Sequence, residues 1–127
     1  MLRVLFICSQ NKLRSPTAEA VFSDREDIEV DSAGLNHDAI QPLDREQLRW
    51  AQLIFVMEPA HRNKLNKRYR KELTGKQVIC LNIPDDYDYM DPALVGLLQV
   101  RVTPYLIRYS AGSSRSSRPS PDSGVEE

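Results

Sequence analysis

The stretch Leu2-Arg3-Val4-Leu5-Phe6-Ile7-Cys8-Ser9-Gln10-Asn11-Lys12-Leu13-Arg14-Ser15-Pro16 decides the reading of the fold. Its opening, Leu2 to Cys8, is a nearly continuous apolar run of strand length, as expected of a parallel strand covered on both faces. From Ser15 to Phe22 the pattern turns helical. Ser15 suits the N-cap and Pro16 the first helical position, where the missing N–H costs nothing. Strand, short polar loop and helix thus follow one another within the first 22 residues.

Further along the chain the same alternation recurs. Ile28 to Ala33 alternates in polarity and stops at Gly34, as a more exposed strand would. Pro42 to Trp50 reads as a short helix, Gln52 to Met57 as a third, buried strand. Pro59 to Leu73 reads as a basic helix with its C-cap near Gly75. Gln77 to Leu81 is a fourth strand, and Asp91-Pro92 opens a last helix to about Arg108, kinked or split by Pro104. Four rounds of strand and helix predict an α/β fold: a three-layer, doubly wound sheet of about four parallel strands with flanking helices. Sites in such sheets lie at the carboxyl ends of the strands, near the point where strand order reverses.

Composition sets the bounds. The 127 residues suit one domain, 28% charged and 41% apolar, with 17 basic against 18 acidic side chains for a net charge of −1. That balance argues against a nucleic-acid coating protein. No apolar run reaches the roughly 20 residues of a membrane span, and the N-terminus does not read as a signal peptide. Two cysteines, Cys8 and Cys80, make no disulfide framework. The expectation is a cytoplasmic domain over residues 1–109, a monomer or weak dimer with neither nucleic acid nor membrane as partner. Residues 110–127, with seven serines and Val125 as their one apolar β-branched residue, read as a disordered tail.

The loop after the first strand carries the chemistry. A short loop entering a helix N-terminus can turn successive backbone N–H groups inward, and the helix dipole adds positive charge, making a site for a tetrahedral dianion. Ser9, Gln10, Asn11, Lys12, Leu13, Arg14 and Ser15 are therefore the candidate phosphate-binding residues, with Arg14 gripping two oxygens through its planar fork. At the bottom sits Cys8. Thiols beside a helix N-terminus and a cation ionise more readily than free ones, so the field that holds phosphate also prepares a nucleophile. Ser15 can hydrogen-bond the thiolate. The bland alternative, a small core cysteine at a strand end, is set against strand, Cys, five residues, Arg-Ser-Pro and helix in that order.

These residues resemble the low-molecular-weight protein tyrosine phosphatases, whose signature near the N-terminus is an apolar strand followed by C-x-x-N-x-C-R-S-P. Cys8, Asn11, Arg14, Ser15 and Pro16 match it; Asp31-Ser32-Ala33-Gly34 and Leu53 to Glu58 also look like the family. The likeness covers most of residues 2–90, with the middle shortened, and is closest to the compact bacterial branch of predicted tyrosine phosphatases. It implies the phosphotyrosine phosphatase I type of fold. It also implies hydrolysis of phosphorylated proteins or small aryl phosphates through a cysteinyl-phosphate, with catalytic residues Cys8, Arg14 and Asp85 and neither metal nor cofactor. Asn11 would hold the loop in shape, with Ser15 and Ser32 as its hydrogen-bonding neighbours. The family's general acid lies after the fourth strand; Pro84 and Tyr87 favour Asp85, with Asp86 and Asp88 in reserve. Leu13 stands where the family has a second loop cysteine, so redox protection by a disulfide there is absent. Competing readings are a weak phospho-ligand binding module and arsenate reduction on the same scaffold.

Of the remaining features, Tyr87 and Tyr89 read equally as cleft walls or as surface aromatics. Trp50 reads as packing, Cys80 as a core thiol, and His37 and His61 as ordinary surface histidines. The basic stretch Arg62, Lys64, Lys67, Arg68, Arg70 and Lys71 reads as a solvated helix face, the alternative being a docking site for an acidic partner or RNA.

Overall fold

In the computed structural model, which describes residues 1–115, four strands and four helices alternate strictly. The strands are β1 (Leu2–Cys8), β2 (Ile28–Gly34), β3 (Leu53–Val56) and β4 (Gln77–Cys80). The helices are α1 (Arg14–Phe22), α2 (Arg45–Trp50), α3 (Pro59–Arg68) and α4 (Pro92–Arg115). The sheet order is β2-β1-β3-β4, with every pairing parallel.

Alternation along β1 builds both cores at once, because successive side chains of a strand point to opposite faces. Val4, Phe6 and Cys8 face a cluster with Ala18 and Phe22 of α1 and Leu94, Leu98, Val102 and Leu106 of α4. Leu5 and Ile7 face a second cluster with Leu48 of α2 and Leu65 of α3. Burial on both faces is why β1 reads as continuously apolar. Phe6 anchors the first cluster between Phe22 and Phe55, its ring centroid 5.8 and 5.3 Å from theirs, within the range of favourable aromatic pairing.

Four sequence readings change. Ser15 is not the N-cap of α1: the helix begins at Arg14 with Leu13 before it, and Ser15 is buried in the first turn with its hydroxyl turned to Cys8. The basic helix ends at Arg68 rather than Leu73. Pro104 does not split the last helix, which is one element. It sits exposed on the outer side of α4, where water can satisfy the carbonyl its ring leaves unpaired. That helix also runs past residue 110 to Arg115, and the rest of the predicted tail, 116–127, lies outside the described residues. No described helix is long and apolar enough to cross a membrane.

The first crossover carries the chain from β1 to β2 on one side, and β3 then adds on the other. Strand order therefore reverses at β1, and the crevice lies above the carboxyl ends of β1 and β3. Cys8 ends β1, Glu58 follows β3, and Asp85 follows β4, so three separate loops meet there.

Candidate active site

Between Cys8 and Arg14 the loop is shaped from outside. The carbonyls of Cys8, Ser9 and Gln10 accept the backbone N–H groups of Leu35, Asn36 and Ile40, at 2.9, 3.0 and 3.0 Å. No peptide bond among the described residues is cis. In a planar trans peptide the N–H points opposite to the carbonyl, so the N–H groups that follow are turned away from the 35–40 segment, toward the cleft. Asn11 makes the reversal at φ 54°, a left-handed conformation that asparagine tolerates better than most residues. Gly34 permits the close approach, since a Cβ there would lie 2.7 Å from the Ser9 carbonyl oxygen and 2.9 Å from the Asn11 nitrogen.

A buried polar chain fixes the sulfur. Asn11 Nδ2 donates to Ser15 Oγ at 3.0 Å and to Ser32 Oγ at 2.9 Å, while Ser32 Oγ donates to Glu19. Ser15 Oγ lies 3.0 Å from Cys8 Sγ. Having accepted from Asn11, the Ser15 hydroxyl keeps its proton, with sulfur at 3.0 Å as a nearer acceptor than the Ala33 carbonyl at 3.5 Å. Cys8, Asn11, Ser15 and Ser32 are all buried.

Arg14 is 4% exposed, an arrangement a guanidinium accepts only when paired. Its Nη1 donates to Glu58 and to the Ile83 carbonyl at 2.7 Å, and its Nε lies 3.8 Å from Asp85 Oδ1. The side chain thus ties the loop of β1 to those of β3 and β4. Around it Cys8, Ser9, Gln10, Lys12, Leu13 and Asp85 line a small cleft of about 80 Å³. The Asp85 loop is held from below, where Ile83 N–H donates to the Met57 carbonyl and Arg101 Nη1 to the carbonyls of Leu81 and Asn82.

Beside the cleft sits a histidine that sequence reasoning assigned to the surface. His61 is 3% exposed; its Nε2 lies 3.0 Å from Ser9 Oγ, and its Nδ1 accepts the Glu58 N–H at 3.2 Å. It sits in the first turn of α3, which docks where β3 ends, so an otherwise basic helix turns this ring inward together with Leu65 one turn on. His37 is exposed, as read.

The family model described as "Low molecular weight phosphotyrosine protein phosphatase" matches residues 3–53, the span holding the loop, Asn11, Ser15 and Ser32. The chain carries the fold and the N-terminal signature of that family. Among solved structures it is similar to the YwlE arginine phosphatase from Geobacillus stearothermophilus, at 17% identity and a TM-score of 0.72, covering 94% of this chain and 99% of the other. It is likewise similar to a protein tyrosine phosphatase from Entamoeba histolytica, at 20% identity and 0.73, covering 89% and 99%. A third is the tyrosine phosphatase Wzb from Escherichia coli, solved with phosphate, at 20% and 0.65, covering 85% and 99%. No curated protein matches the chain.

Within this phosphatase fold the loop residues Ser9, Gln10, Lys12 and Leu13 read from sequence come together with Cys8, Arg14 and Asp85 at one cleft, whereas Asn11 and Ser15 do not line it and are buried behind Cys8. Asp86 lines a neighbouring depression with Pro59 and Asn82 instead, and Asp88 lines neither. Tyr87 is partly buried against the core under α4, Tyr89 is exposed, and neither lines the cleft. Trp50 and Cys80 pack, partly buried, against the cluster beneath α2 and α3. The sequence reading gives Glu58 no role and puts His61 on the surface, whereas both meet the site. The available signal was their spacing, N-cap and third helical position either side of Pro59 and Ala60, where side chain and backbone commonly bond reciprocally.

The electrostatics of this pair set an acid response. The hydrogen bond from Arg14 holds the Glu58 carboxyl below its ordinary value of 4.5. Burial, reinforced by Arg14, holds the His61 ring below 6.5. A depressed carboxylate stabilises the fold above its unfolded pKa and loses that contribution as pH falls through the folded one. A depressed histidine takes up its proton first in the unfolded chain. In both ranges the unfolded state binds more protons, so stability rises with pH. The urea midpoint should fall between about pH 7 and about pH 5 through His61, and again in stronger acid through Glu58. His61→Asn should flatten the first stage; a wild-type midpoint constant across it would contradict the assignment.

Proposed function

We propose that the protein is a phosphomonoester hydrolase acting on protein phosphotyrosine through a cysteinyl-phosphate. The observation that carries this reading is Cys8 Sγ, 3.0 Å from the Ser15 hydroxyl, at the floor of the cleft that Arg14 closes. Phosphate supplies a dianion that this arrangement complements, with charge stabilisation from oriented amides and one guanidinium.

The reaction runs in two displacements. The Cys8 thiolate attacks phosphorus in line with the ester bond. As S–P forms and P–O breaks, the bonding pair leaves with the phenol oxygen, which takes a proton from Asp85. Water then attacks phosphorus from the vacated side and gives a proton to Asp85. The S–P bond breaks, its pair returns to sulfur, and the Ser15 hydroxyl stabilises the departing thiolate. Arg14 and the loop N–H groups hold the other phosphoryl oxygens throughout. That Asp85 lines the cleft with Cys8, with its Oδ1 near Arg14, favours it over Asp86 and Asp88.

The test is a substrate panel of p-nitrophenyl phosphate and of peptides bearing phosphotyrosine, phosphoserine or phosphoarginine, run beside Asp85→Asn. The wild type should turn over the aryl phosphates. Asp85→Asn should lower kcat on phosphotyrosine by about a hundredfold and remove the basic limb of its pH profile. Its effect on p-nitrophenyl phosphate should be smaller, because nitrophenolate leaves without a proton. Release from phosphoarginine alone would move the substrate class, and phosphate binding with no turnover would make the domain a binding module.

A further inference from the structure

The mechanism makes no use of His61, although this histidine is buried and bonded at both ring nitrogens. The ring bridges two elements. Its Nδ1 accepts the Glu58 N–H at the start of α3, and its Nε2 meets Ser9 Oγ in the loop after β1. An imidazole that accepts at Nδ1 and is kept neutral by its surroundings carries its proton on Nε2. Burial and Arg14 both keep it neutral, against smaller opposing effects of Glu58 and Asp85, while Lys64 acts with Arg14. Nε2–H therefore donates and Ser9 Oγ accepts. A hydroxyl that accepts on the His61 side turns its own proton elsewhere, and Ser9 lines the cleft with Cys8 and Arg14.

We propose that His61 is a positioning residue: through its Nε2–H bond to Ser9 Oγ it aims the Ser9 hydroxyl proton into the cleft, as a donor to a phosphoryl oxygen. This rests on the phosphatase reading and deepens it. Ser9 thereby adds a side-chain donor to the backbone ones, and the start of α3 sets where that donor points.

Two amide variants separate the two ends of the ring. His61→Asn places a carbonyl oxygen near the position of Nδ1 and keeps the helix-start bond but loses the one to Ser9. His61→Gln places an amide nitrogen near Nε2 and keeps the bond to Ser9. With p-nitrophenyl phosphate, His61→Asn should lose about tenfold in kcat/KM and bind inorganic phosphate more weakly by a similar factor, with its urea midpoint near pH 8 kept. His61→Gln should return both to the wild-type range. Ser9→Ala, which leaves the ring in place, should reproduce the His61→Asn loss, and the double variant should lose no more than either single one. Wild-type activity in Ser9→Ala, a His61→Asn loss that His61→Gln does not repair, or additive losses would each overturn the proposal and leave His61 a helix-start residue only. Cys8→Ser keeps the two readings apart. Turnover surviving in that variant defeats the phosphatase reading, while the phosphate affinities of the Ser9 and His61 variants still report on the positioning bond.

Discussion

Cys8→Ser should reduce turnover of p-nitrophenyl phosphate by at least about 10⁴-fold, the scale of loss on removing a covalent nucleophile. The substitution is nearly isosteric at a 3% exposed site, and Ser15 and Asn11 keep their partners, so the fold and the cup should survive. Inorganic phosphate should still bind, because Arg14 and the loop amides are untouched. Loss of turnover with phosphate binding retained is the signature to look for, by steady-state kinetics and calorimetry on the same preparation. Alkylation by iodoacetate supplies an independent check: vanadate should protect Cys8 in the wild type, with Cys80→Ser removing the second thiol. Hydrolysis undiminished in Cys8→Ser would end the covalent mechanism.

Arg14→Lys should lower kcat/KM by about a thousandfold, beyond what the retained charge would imply. One guanidinium here bonds Glu58 and the Ile83 carbonyl through Nη1 and faces Asp85 through Nε, with further N–H groups left for phosphate. An ammonium is a single point donor and cannot hold those three loops and an anion together. The lysine variant should also lose phosphate affinity. Its Glu58 carboxyl should return toward the ordinary range, so the low-pH stage of the stability profile should shrink with it. Kinetics within a few-fold of wild type would show that charge alone is needed at position 14, and that the tie between loops is incidental.

Much of this was legible along the chain. The apolar run of β1 announced a strand buried on both faces, and Cys8, Asn11, Arg14, Ser15 and Pro16 marked the candidate loop through their resemblance to a phosphatase signature set between a strand and a helix. Boundaries slipped where local chemistry had two uses. Ser15 has the residue type of an N-cap, yet its hydroxyl serves sulfur, and only the proximity of Cys8 and Asn11 decides between the two. Asp85, Asp86 and Asp88 are equivalent by type and near neighbours in sequence. The turn after Ile83, pinned by Arg14 and Met57, is what puts the first of them at the cleft.

The amino-acid order by itself determined the alternation of strands and helices and the two-sided core of β1, both local matters of hydrophobic period. It also marked the candidate anion loop, through turn chemistry and a resemblance to a known signature. Tertiary structure alone decided that Glu58 would meet Arg14, that His61 would be buried against Ser9 rather than exposed on a basic helix, and that Tyr87 would pack into the core rather than wall the cleft. Those outcomes depend on the strand order β2-β1-β3-β4, which gathers the ends of β1, β3 and β4 at one crevice. Contacts across 44 to 69 positions, as between Arg14 and Glu58 or Ile83, leave no periodic trace in the chain because the packing of whole elements creates them.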